Sequence, residues 1–121
     1  MQPLIGRDDF ENLLRSLADA LFQQAESHLQ DQTWRAIALD VRFDHQGGFN
    51  YKIRAATASA SPPITMPASM TLLVLSLDAL RRQLPQDQWH GFLLTVTADQ
   101  QCEMTFNYDP NCADDPTFYA D

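Results

Sequence analysis

No lysine or arginine occurs after Arg82, although seven acids follow it: Asp87, Asp99, Glu103, Asp109, Asp114, Asp115 and Asp121. The preceding residues, 1–82, carry nine acids and eight bases, so they are close to neutral. A formal net charge of −8 that is concentrated in the last third argues against nucleic acid as a partner, because Lys and Arg on phosphates supply most of that affinity. It argues equally against settling on anionic lipid. Long apolar runs are also missing. The longest, Met70 to Leu77, falls far short of the roughly 20 residues of a membrane span. Met1 to Arg7 lacks an apolar run with basic flanks, so no signal peptide is expected and the predicted location is a bacterial cytoplasm. Cysteine is scarce, and Cys102 and Cys112 are expected to stay reduced there.

What is present describes a single domain. The chain has 121 residues, 45% of them apolar and 20% charged, an ordinary globular mixture. At this length roughly two-thirds of the unfolded chain's surface should be buried, enough for one core without staples. Asp8 and Glu11 resemble a capping box. Phe10, Leu14, Leu17, Leu21 and Ala25 then recur at helical spacing, predicting a helix over about 9–29. Ile37, Leu39, Val41 and Phe43 alternate with Ala38, Asp40 and Arg42, the two-residue period of a half-buried strand. Gly47-Gly48 suits a tight turn, and Phe49, Tyr51 and Ile53 form the returning strand. Residues 56–68 hold three prolines and no period, and read as a loop.

Leu73, Leu77, Leu80 and Leu84 restore helical spacing, with Arg81 and Arg82 placed where cations suit a helix C-terminus and Pro85 as the stop. Phe92, Leu94 and Val96, then Cys102, Met104, Phe106 and Tyr108, make a second alternating pair around Asp99-Gln100. The order helix–hairpin–helix–hairpin predicts an α+β fold with a four-stranded antiparallel sheet over about 35–43, 49–55, 91–98 and 102–108, covered by helices. Leu14, Leu17, Leu21, Ile37, Leu39, Val41, Leu77, Leu80, Phe92, Leu94, Val96 and Phe106 are the expected core. Residues 110–121 read as an acidic irregular tail. A strand along all of 70–84 would instead favour the secretion-chaperone reading described below.

A catalytic constellation is hard to find. His28, His45 and His90 stand near a helix end, in a turn and before a strand, without the spacing of a metal site. Cys102 lies on the apolar side of its strand, where a thiol behaves as a small hydrophobe. Cys112, in the tail, is expected to be exposed, with no basic sequence neighbour to lower its pKa. Gly47-Gly48 precedes a strand rather than a helix, which a phosphate loop requires. Ser59 and Ser61 lack the strand–turn–helix setting of a nucleophile elbow. Neither an enzyme nor a cofactor or metal is expected. The prominent feature is acids interleaved with aromatics near the C-terminus. Tyr108, Asp109, Asp114, Asp115 and Tyr119 are the candidate partner-binding residues: aromatic anchors at low entropy cost, and carboxylates that steer a cationic partner. A solvated acidic tail is the plainer alternative.

Two blocks of residues carry a family resemblance. One is Trp34 ahead of an alternating strand, Gly47-Gly48 and Phe49-Asn50-Tyr51; the other is Trp89 ahead of Leu93-Leu94-Thr95-Val96-Thr97, then Met104-Thr105-Phe106-Asn107-Tyr108-Asp109. Over most of residues 9–115 the chain resembles the YezG-like bacterial immunity proteins, small acidic antitoxins of nuclease toxins. The resemblance implies a helix, a Trp-led hairpin, a second helix and a second hairpin ending in an aromatic–Asp motif. It also implies a cognate basic toxin as partner and no catalytic residue. The middle loop at 57–68, rich in Ala, Ser and Pro, and the short stretch after Tyr119 depart from that pattern. Two alternatives stand beside it. A type III secretion chaperone would bind an effector segment, but Pro110 and Pro116 interrupt the closing helix such a protein needs. A small enzyme or ligand-binding domain would show converging titratable groups in a deep pocket. A homodimer remains open.

Overall fold

The computed structural model describes residues 7–28, 34–44, 48–57, 64–83 and 89–114. The chain runs α1 (Arg7–His28), β1 (Trp34–Phe43), β2 (Phe49–Thr57), α2 (Ala68–Arg81), β3 (Gly91–Thr97), β4 (Cys102–Asn107) and a 3-10 turn at Cys112–Asp114. The predicted α+β architecture is present. All four strands pair antiparallel in the order β2-β1-β3-β4, so each hairpin contributes one central strand and one edge.

The period-2 pattern sets the layers. In β1 the odd positions from Ile37 to Phe43 are buried, while Ala38, Asp40 and Arg42 point to the other face. The register places Leu39 between Ile53 of β2 and Leu94 of β3, and Val41 beside Phe92, which stacks the apolar residues of neighbouring strands on one side. The helices cover this side. Leu17, Leu21 and Ala25 of α1 and Met70, Val74 and Leu77 of α2 complete the core. Phe43, Trp89, Phe92, Phe106 and Phe10 form a continuous ring cluster at one end, with Trp89 and Phe106 centroids 4.9 Å apart. Phe22 meets Trp34 edge-on, at 5.6 Å between centroids.

Several boundaries and burials depart from the sequence reading. The first helix starts at Arg7, so Asp8 falls inside the first turn rather than capping it. The second helix ends at Arg81, earlier than the Leu80–Leu84 spacing implies; Leu84 and Pro85 lie outside the described residues. Residues 70–81 are helical, not extended. Leu14, Leu80 and Phe106 are half-buried, because each stands at the margin of its packed face. Both ends of the stretch read as a loop belong to the fold: Ala56 and Thr57 extend β2, and Ile64 and Met66 are buried in the core, while residues 58–63 lie outside the described residues. The Met66 amide donates to the Tyr51 hydroxyl at 3.0 Å, tying this segment to β2.

The second hairpin closes through a non-glycine residue in the left-handed region, Gln100, with φ of 67°. The Thr97 amide donates to the Gln101 carbonyl at 2.8 Å and the Gln100 amide to the Thr97 carbonyl at 2.9 Å. A three-residue hairpin loop needs a positive φ at its last position. The Thr97 hydroxyl also bonds the Asp99 carboxylate, which explains why polar residues occupy this turn.

Gly91 is required for close packing rather than for its φ. A Cβ there would stand 2.6 Å from the Val41 carbonyl oxygen and 3.4 Å from Cys112 Sγ. Gly91→Ala is therefore expected to cost about 1–3 kcal/mol through overpacking of the β1–β3 pair. Urea denaturation of the two proteins measures the difference.

Candidate functional site

After β4 the chain turns back over the sheet face that the helices leave open. The Asn107 side-chain carbonyl accepts from the Asp109 amide at 2.9 Å, and an Asp109 carboxylate oxygen accepts from the Asn111 amide at 2.9 Å. Two consecutive Asx-type bonds bend the backbone sharply, as short polar side chains do in turns. The Cys112 and Asp114 amides then bond the Asp109 and Asn111 carbonyls. Arg42 of β1 donates from Nη1 to the Cys112 carbonyl at 2.9 Å, which fastens the turn to the sheet.

This fold-back inverts the expected exposure of the two cysteines. Cys112 is buried above Gly91, and its thiol donates to the His90 carbonyl at 3.3 Å. Cys102 is on the helix side of the sheet, as its phase requires, but it is exposed because α1 does not close over the start of β4. Both thiols are free. Burial pushes the Cys112 pKa up; Arg42 partly offsets this by attracting the thiolate, while Asp109 and Asp40 add to the rise. A raised folded value means that this group adds stability below the ordinary thiol pKa and loses it as pH climbs through the folded one. In the native protein, maleimide is expected to label Cys102 fast and Cys112 only on opening. Equal rates by mass spectrometry would contradict the fold-back.

Of the predicted partner-binding residues, the structure places Tyr108, Asp109 and Asp114 together beside the end of β4. Tyr108 is 58% exposed, and both carboxylates are on the surface. Asp109 also shapes the turn, a structural task that its charge alone did not reveal. Asp115 and Tyr119 lie outside the described residues.

A second feature was not visible in the sequence. A groove of about 690 Å³ runs between α1 and the β3–β4 hairpin. Its apolar lining includes Leu14, Ala18, Phe22, Leu94, Val96 and Met104; Glu11, Asp19 and Arg15 are its charged lining residues. Further exposed acids lie along β4 outside the groove: Asp99 before the strand, Glu103 within it on the open face, and Asp109 after it. The bases Lys52 and Arg54 belong to β2, at the opposite edge of the sheet. The two edge strands thus differ in sign, with Glu103 in β4 against Lys52 and Arg54 in β2. Among the described residues, no group of three or more His, Cys, Asp or Glu is arranged to hold a metal ion, and no helix is long and apolar enough to cross a membrane. No protein-family model matches this chain, and no curated protein matches it closely enough to count as a relative.

Proposed function

We propose that this protein is an immunity factor that binds a cognate basic toxin, of the nuclease type, and neutralises it through an acidic surface, acting in the cytoplasm. The observation that carries this reading is the placement of acids around β4, with the bases of β2 on the far edge. The resemblance to YezG-like immunity proteins leads to the same reading. A nuclease must hold phosphates, so it presents Lys and Arg at its substrate surface. Carboxylates fixed on a rigid sheet compete for that surface and speed the encounter. Such inhibition needs no nucleophile, metal or cofactor.

Expression of the neighbouring gene's product, with and without this protein, tests the reading. Rescue of growth and co-purification of the pair are expected. A neighbour whose toxicity is unchanged by this protein, with no complex formed, would remove it. Asp114→Lys combined with Asp115→Lys should slow association and flatten its salt dependence, since exposed charges act mainly on the encounter. Asp109 is left in place because its carboxylate holds the turn.

A further inference from the structure

β4 is an edge strand, and its free side lies beside the groove. Among the described residues, β3 is the strand that pairs with it. The phase of its backbone follows from one bond: Gln101 accepts from the Thr97 amide, so Gln101 points its polar groups toward β3. Alternation directs Glu103 and Thr105 the same way, and turns the N–H and C=O of Cys102, Met104 and Phe106 to the free edge. Those three residues also have their side chains on the helix side, where Cys102 and Met104 line the groove. An added strand would therefore find its backbone partners and its apolar pocket at the same positions.

The two edges of the sheet are not equivalent. At β2 the Met66 amide bonds the Tyr51 hydroxyl on the helix side, and Lys52 and Arg54 give the strand positive charge. At β4 only Glu103 is charged within the strand, with Asp99 before it and Asp109 after it.

We propose that β4 receives an extended segment of the basic partner, which adds a fifth strand to the sheet by β-augmentation. Its alternate apolar side chains enter the groove, and its intervening Lys or Arg residues lie on the open face opposite Glu103. Because Glu103 directs its backbone inward, the added strand meets it in a non-hydrogen-bonded pair, where facing side chains come closest. Charge selects this occupant over two others. A second copy would bring Asp99, Glu103 and Asp109 against the same acids. Residues 115–121 of this chain bring Asp115 and Asp121 and no base. The inference rests on the reading of the partner as a basic protein.

The test uses the full chain labelled with 15N and a nine-residue peptide of alternating valine and lysine. Saturable amide shifts centred on residues 102–106 are expected, weakening with salt. A valine–glutamate peptide should bind at least about tenfold more weakly. Glu103→Lys, at an exposed position, should weaken the lysine peptide by about the same factor. Met104→Pro removes an outward-facing donor while leaving the ladder to β3, and should abolish the shifts if its melting curve confirms a folded protein. The proposal is overturned by absence of a saturable shift up to about 1 mM peptide. It is also overturned by equal response to both peptides, by shifts centred on β2 or α2, or by β4 amides already contacted by residues 115–121 or by a second copy. Growth rescue without β4 binding would remove this docking mode and leave the neutralising function. β4 binding without rescue would do the reverse.

Discussion

Asp78→Ala is expected to lower the unfolding free energy by about 3–5 kcal/mol, because it removes the carboxylate that accepts two bonds from a buried guanidinium. Asp78 and Arg81 are the two buried charged side chains of the described core, at 4% and 6% exposure. Arg81 donates from Nε and Nη2 to one oxygen of Asp78, at 2.9 and 2.7 Å, while Arg82 reaches the other oxygen from the surface at 2.9 Å. Arg81 Nη1 donates to the Trp89 carbonyl at 3.1 Å, and Arg81 Cζ stands 4.6 Å from the Phe43 ring centroid. The group therefore joins the end of α2 to the entry of β3 and the end of β1. Asp78→Asn keeps an acceptor and should lose less. Adding Arg81→Met to Asp78→Ala should recover much of the loss, since removing both charges leaves neither unpaired. Urea denaturation of the wild type, Asp78→Ala, Asp78→Asn and the double variant measures these differences. A loss below about 1 kcal/mol for Asp78→Ala would show that solvent reaches Arg81.

Leu39→Ala is expected to cost about 2–4 kcal/mol, from lost burial and the cavity left behind. Leu39 is fully buried in the central strand, paired with Ile53 on one side and Leu94 on the other, so the sheet has little freedom to collapse into the gap. Leu93→Ala is the control. Leu93 is 42% exposed on the opposite face of the adjacent strand, and its replacement should cost under about 1 kcal/mol. Similar losses at both positions would mean that the assignment of the two sheet faces is wrong.

The sheet was legible because strict alternation in β1, β2, β3 and β4 leaves one face for each residue. The helices were legible in position but not at their ends, where one or two bonds decide the boundary. What could not be read depends on contacts remote in sequence. Arg81 looks like an ordinary cation at a helix C-terminus; its burial requires Phe43 and Trp89, which the fold brings to it. Ile64 and Met66 sit in an aperiodic, proline-rich run, so no periodicity could announce their burial. The cysteines were read by strand phase and by position in a tail. Phase assigned Cys102 to a face but could not say where α1 stops covering it, and Cys112 is buried because the chain folds back onto the sheet, where Arg42 holds its carbonyl. At the candidate site, the sequence supplied the acids of the C-terminal third. It could not supply the groove, which exists only once α1 is laid beside β4.

The strand order has a kinetic corollary. Each hairpin is local in sequence, but the central pair joins β1 to β3, with Ala36 beside Thr97 and Arg42 beside Gly91. Neither half can bury its apolar face fully until the other arrives, so the two hairpins are half-built units waiting for a partner within the same chain. Closing that long loop must precede the contacts that compensate it, which places the slow event of folding at the β1–β3 seam. During that wait each central strand is itself an open edge. A newly made chain is thus most exposed to pairing with the wrong neighbour along Ile37–Phe43 and Phe92–Val96, the segments that the finished sheet hides best.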